Sequence, residues 1–285
     1  MAFEGASFLL QWATGGLLFL WVTTRRREVS IGYGWTIRAT FALLALGAAY
    51  TGIRIIDGLW IRDLASVGVF VATMVALVSS IQRRKVGVRG QKELAEARSA
   101  RVAAMTGIDR SAAAKAEDGP EFEPWLDLVA PVIGTIGIIG TALAHGDPVW
   151  LAMLRLLVGA AFLGVITDAM LLGHWYLVQP GMARGPLLEQ IRWAGIISVP
   201  EILLMLVPTG MISVFTGEID DAYGGLLGWF WIACAVTTVG LVIVTRLALK
   251  ERAYSAVMAA TGLLYLAILT SFGTDLVARA LLSGH

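Results

Sequence analysis

The chain has 285 residues, of which 57% are hydrophobic and only 15% charged, with a mean hydropathy of +0.75. Soluble domains carry roughly 25% charged residues, so this composition excludes a soluble globular enzyme. The formal net charge of +1 argues against a nucleic-acid partner, whose binding is marked by a basic excess.

A hydrocarbon core about 30 Å thick is crossed by about 20 residues of helix, and several apolar runs reach that length. The runs are continuous rather than alternating, which excludes a transmembrane β-barrel. The sequence therefore predicts an all-α, polytopic transmembrane helix bundle of about eight spans: 6–24, 33–53, 64–82, 125–144, 149–173, 187–214, 225–245 and 254–279. The first run has no basic flank before it and is followed by Arg25-Arg26-Arg27, so it reads as a retained helix and not as a cleaved signal peptide.

Residues 1–82 form a three-span segment and 125–285 a five-span segment of one membrane domain, separated by the hydrophilic stretch 83–124. Within that stretch, Gln91 to Arg98 is rich in helix formers and places Lys92 and Glu96 one turn apart. Few aromatic or branched residues follow before Pro120 and Pro124, so a short helix on a linker is expected and not a core.

Cytoplasmic loops hold the excess of Lys and Arg. Seventeen of the 22 basic residues fall in 25–32, 83–124, 174–192 and 246–252, which predicts these loops inside and both termini outside. The acidic loop Glu218 to Asp221 then also lies outside. Arginine outnumbers lysine 18 to 4, a composition of GC-rich bacterial genomes, and with the spans it points to a bacterial cytoplasmic (inner) membrane. The single cysteine, Cys234, lies in an apolar run and reads as a small buried hydrophobe; it excludes an internal disulfide and a cysteine metal site.

Ionisable side chains within spans are costly and call for a partner or a function. Glu201 follows Pro200 in the middle of the sixth span, with Pro208 two turns later as a hinge. Proline frees a backbone carbonyl and kinks a helix, and burial favours the neutral form of a carboxyl, as a proton carrier requires. The alternative is a structural ion pair, with Arg155 as its cation. Asp168, His174, Trp175, Tyr176, Arg184, Glu189 and Arg192 gather where the fifth span leaves the membrane. Asp168 and His174 point about 120° apart on a helix and form no simple dyad, whereas Thr167 and His174 share a face. Trp175 and Tyr176 fit an interfacial aromatic belt. His174, Tyr176 and Arg192 make a candidate headgroup site for a quinone or protonatable substrate, and Asp168 and Glu201 a candidate proton path. Bis-His haem fits poorly, because His145 and His174 are separated by about 40 Å of helix rise, and no histidine metal site is expected.

Gly134, Gly137 and Gly140 line one side of the fourth span and form a close-packing seam, within the bundle or against a partner subunit. Arg54, Asp57, Arg62 and Asp63 are expected in an amphipathic interfacial connection beside Trp60, and Arg38 to snorkel or to reach the His174 cluster. No phosphate loop, HExxH, CxxC or nucleophile elbow is present. No internal sequence repeat is evident. Thr167-Asp168 before Gly173-His174 resembles Thr274-Asp275 before Gly284-His285, but the spacings differ.

These features support a quinone- or proton-handling membrane subunit of a redox or respiratory system. Two other readings compete with it. One is a proton-coupled carrier of a small solute or ion; the other is a non-catalytic assembly subunit that docks a partner through 83–124.

Overall fold

The computed structural model describes residues 4–55, 58–106, 119–179, 182–207, 210–251 and 253–282. Asp57, Pro180, Pro208, Arg252, Gly284 and His285 lie outside them, as does the 107–118 part of the long connection. The described chain is all-helical: α1 (Gly5–Thr24), α2 (Ile31–Arg54), α3 (Trp60–Gln82), α4 (Arg89–Thr106), α5 (Leu126–His145), α6 (Val149–Val178), α7 (Gly185–Leu206), α8 (Ile212–Thr216), α9 (Leu226–Ala248) and α10 (Tyr254–Leu282). Seven of these, α1, α2, α3, α5, α6, α9 and α10, are long and apolar enough to cross a membrane. The eighth long helix, α7, carries Glu189, Arg192 and Glu201 and packs in the same bundle against α6 and α9.

These seven helices and α7 form two rings of four. In the first, α1 packs on α2, α2 on α3, α3 on α5 and α5 back on α1. In the second, α6 packs on α7, α7 on α9, α9 on α10 and α10 back on α6. Each ring thus closes in chain order, and their first helices, α1 and α6, meet along the seam between them. The 83–124 connection divides the chain after α3, but packing unites α5 with the first three helices. The doubling has no counterpart in a readable sequence repeat, because lipid-facing and core-facing positions are both filled by interchangeable apolar residues.

Glycine sets the approach of α1 and α6. A Cβ added at Gly15 would fall on the carbonyl group of Ala160, and one at Gly164 on the backbone of Gly15, so the two backbones touch. The Gly134, Gly137 and Gly140 side of α5 is filled from inside the bundle. A Cβ there would meet Thr14, then Ala65 and Leu10, then Ile61. That seam is occupied by α1 and α3 and is not open to a partner subunit.

Three expectations change. The sixth span is shorter than 187–214: α7 stops at Leu206, Val207 is extended (φ −98°, ψ 143°), as a residue before a proline tends to be, and the short α8 follows. The third span starts earlier, at Trp60, so Arg62 and Asp63 are not interfacial. They are buried in the first turn of α3, with Arg62 bonded to Asp63 at 2.8 Å and to Glu4. Arg38 does not snorkel. It is buried in a two-pronged ion pair with Asp127, Nε to Oδ1 and Nη2 to Oδ2, both 2.7 Å. Thr24 also donates to Asp127 at 3.0 Å, and Arg38 lies over the Phe122 ring. The end of the long connection is thereby fastened to the bundle. Arg27 adds ion pairs to Glu121 and Glu123 at 3.2 and 3.3 Å.

Candidate functional site

Two groups of buried polar side chains reach the α1/α6 seam, toward its opposite ends. The first surrounds Asp168 of α6, which is fully buried. Tyr33 of α2 donates its hydroxyl to Asp168 Oδ1 at 2.6 Å, and Thr23 of α1 lies 2.9 Å from Oδ2. Gln190 of α7 donates through Nε2 to Oδ2 at 2.8 Å and also contacts Thr23 Oγ1 at 2.6 Å. The carboxyl thus gathers four helices, two from each ring. Among the described residues it has no ion-pair partner, and Gln190 Oε1 has no donor. One residue earlier, Thr167 accepts the indole N–H of Trp12 at 2.9 Å, another bond across the seam.

The second group lies toward the other end. Gln11 of α1 donates to the Leu156 carbonyl of α6 at 2.5 Å and accepts from Arg279 of α10 at 2.8 Å. Arg279 pairs with Asp275 one turn before it, at 2.7 Å. Glu201 of α7 is fully buried beside Asp275, with Arg279 and Arg155 also in its surroundings. Neither Glu201 oxygen nor Asp275 Oδ1 meets a donor among the described residues. Arg155, the cation expected for Glu201, spends its donors elsewhere: Nε on the Leu204 carbonyl at 2.9 Å and Nη2 on that of Val207. These carbonyls lie at the end of α7, where the helix leaves acceptors unpaired, so Arg155 caps α7.

The proposed headgroup residues face three neighbourhoods. His174 is exposed, with Nδ1 3.2 Å from the hydroxyl of Tyr265 on α10. Tyr176 is buried and donates to the Ala183 carbonyl, so it is not a belt residue. Trp175 donates to Ser30 at 3.0 Å. Arg192 is exposed on α7 and lines a separate cleft with Arg246. Thr167 and His174, expected on one face, have unrelated partners. No group of three or more His, Cys, Asp or Glu suited to a metal ion occurs among the described residues. Cys234 is buried against Gly273.

Asp168 and Glu201 are not adjacent. Gln190, which touches Asp168, precedes Glu201 by 11 residues on α7, about 16 Å along its axis. Sequence reasoning singled out both carboxyls and missed Gln11, Thr23, Tyr33, Asp127, Gln190 and Asp275. The i,i+4 spacing of Asp275 and Arg279 was a readable signal for their pairing, and Gln11 and Gln190 stood out as amides within helical runs. No protein-family model matches the chain, and no curated protein or solved structure is similar to it at a significant level.

Proposed function

We propose that this integral membrane protein is a proton-coupled carrier of a small solute or ion. The observation that carries this reading is the Asp168 carboxyl, buried without an ion-pair partner among the described residues and bonded to Thr23 and Tyr33 across the seam between the two four-helix rings. Carriers built from two parallel repeats place their coupling sites at the repeat interface and work by rocking one repeat against the other. Four spans per ring put the start of both rings on the same side of the membrane. The Arg-rich loops, by their charge, face the cytoplasm and both termini the outside.

In this reading the touching backbones of Gly15 and Gly164 are the pivot. Thr23 and Tyr33 on Asp168 latch the rings toward the Arg-rich side, and Gln11 on Arg279 and Leu156 latches them toward the other. Proton binding at Asp168 changes an acceptor-only carboxylate into a group that also donates, which alters the inner latch. Glu201 and Asp275, two carboxyls around Arg279, hold the second proton position. The bilayer is the one partner required. The quinone reading needs His174, Tyr176 and Arg192 around one headgroup, and their separate neighbourhoods do not favour it.

The test uses the full chain reconstituted on a solid-supported membrane and challenged with a panel of small solutes and cations under an imposed proton gradient. A solute-dependent proton current in the wild type, lost in Asp168→Asn and reduced in Glu201→Gln, is expected. A coupled current that survives in Asp168→Asn overturns the reading.

A further inference from the structure

We infer that the cleft between α7 and α9 on the Arg-rich side binds the phosphate of an anionic phospholipid. The open cleft has a volume of about 490 Å³ and is lined by Glu189, Arg192 and Trp193 of α7, Arg246 of α9 and Arg26 of the α1–α2 connection. Arg26 is engaged, with Nε 3.1 Å from Glu189, which Arg25 also bonds. Arg192 and Arg246 make no hydrogen bond or ion pair with any described residue. Two guanidiniums from different helices therefore line one cleft without a bonded partner among the described residues. Arginine presents a planar fork that matches two oxygens of a phosphate.

The walls identify which phosphate. Leu188 and Ile196, half-exposed on α7, line the same cleft, so its polar and apolar parts adjoin. Beyond it α7 continues as an exposed apolar face through Val199 and Leu203, where an acyl chain can lie. Trp193 also lines the cleft, and indole rings are enriched at the headgroup level of a bilayer. Basic pockets between helices on the cytoplasmic side are where anionic headgroups bind. This inference does not rest on the carrier reading, and a lipid bound here says nothing about Asp168.

The experiment is native mass spectrometry of the full chain released from nanodiscs of mixed phosphatidylglycerol and phosphatidylcholine, with Arg192→Gln/Arg246→Gln as the variant and Arg54→Gln as a control. Neither cleft arginine is bonded to a described residue, so the double variant is expected to retain the wild-type melting temperature. The wild type and control are expected to retain phosphatidylglycerol over phosphatidylcholine by roughly thirtyfold, the preference that two interfacial arginines confer, and the double variant without preference. Equal retention of both lipids by the wild type, or an unchanged preference in the double variant, overturns the inference. Release of the lipid by millimolar inorganic phosphate, with no dependence on acyl chains, assigns the cleft to free phosphate and overturns it equally.

Discussion

Gly15 of α1 and Gly164 of α6 touch backbone to backbone, and this contact brings the two four-helix rings together. In a bilayer helices gain little from burying apolar surface, so close approach through small residues supplies much of their association. A side chain at this point must push the rings apart. Gly164→Ala is predicted to destabilise the protein by about 1–3 kcal/mol, the range for overpacking, read as a lower thermal midpoint in detergent. Gly262→Ala, at a helical position where an added Cβ meets nothing, is predicted to leave the midpoint unchanged or raise it.

The pair of Arg38 and Asp127 predicts an asymmetric response. Asp127→Asn leaves a buried guanidinium without its counter-charge and is expected to cost about 3–5 kcal/mol. Arg38→Met combined with Asp127→Leu removes both charges and is expected to recover most of that loss. Equilibrium unfolding in mixed micelles measures both. Similar losses in the single and double variants would mean that the ion pair is not what holds α2 to α5.

Arg155 and Glu201 lie near each other but are predicted to matter in different ways. Arg155→Leu exposes the carbonyls of Leu204 and Val207 and should loosen the end of α7, seen as faster hydrogen exchange at Met205 and Leu206. Glu201→Gln removes no donor bond found among the described residues, so its thermal midpoint should match the wild type within error. Strong destabilisation by Glu201→Gln would make Glu201 a structural anchor.

The loop before α9 supplies a pH prediction. Asp221 accepts backbone N–H groups from Tyr223, Gly225 and Leu227 at 2.9, 2.8 and 2.8 Å, and these bonds, that from Gly225 foremost, hold its carboxyl below the usual range. A carboxyl lowered in the folded state stabilises the fold fully above its ordinary pKa, near about 4, and loses that contribution as pH falls through the lowered value. Asp221→Asn should therefore melt below the wild type at neutral pH, and the two curves should converge as acid is added. A gap that persists at low pH would assign the effect to shape and not to charge.

The helices and the two central carboxyls were legible in the sequence, because hydropathy runs and intramembrane charges are local signals. Gly134, Gly137 and Gly140 were legible as a seam for the same reason, but not which helices fill it. The partners of Asp168 were not legible: Thr23 and Tyr33 lie 145 and 135 positions away. In a bundle whose outward faces are uniformly apolar, nothing local dictates lateral order. Arg38 and Asp127 illustrate the same limit, since each alone reads as an interfacial charge and only their meeting buries both. The early end of α7 was half legible. Pro208 marked it, but the apolar run continued through Val214 and carried the expected span too far.

Infrared difference spectroscopy across a pH titration, on the wild type and Asp168→Asn in lipid, tests the central claim most directly. If Asp168 binds the coupling proton at the seam, one protonated-carboxyl component that appears and disappears reversibly in the wild type is lost in Asp168→Asn, while those of Glu201 and Asp275 remain. A titrating band of the same size in both proteins, or none in the wild type, would contradict it.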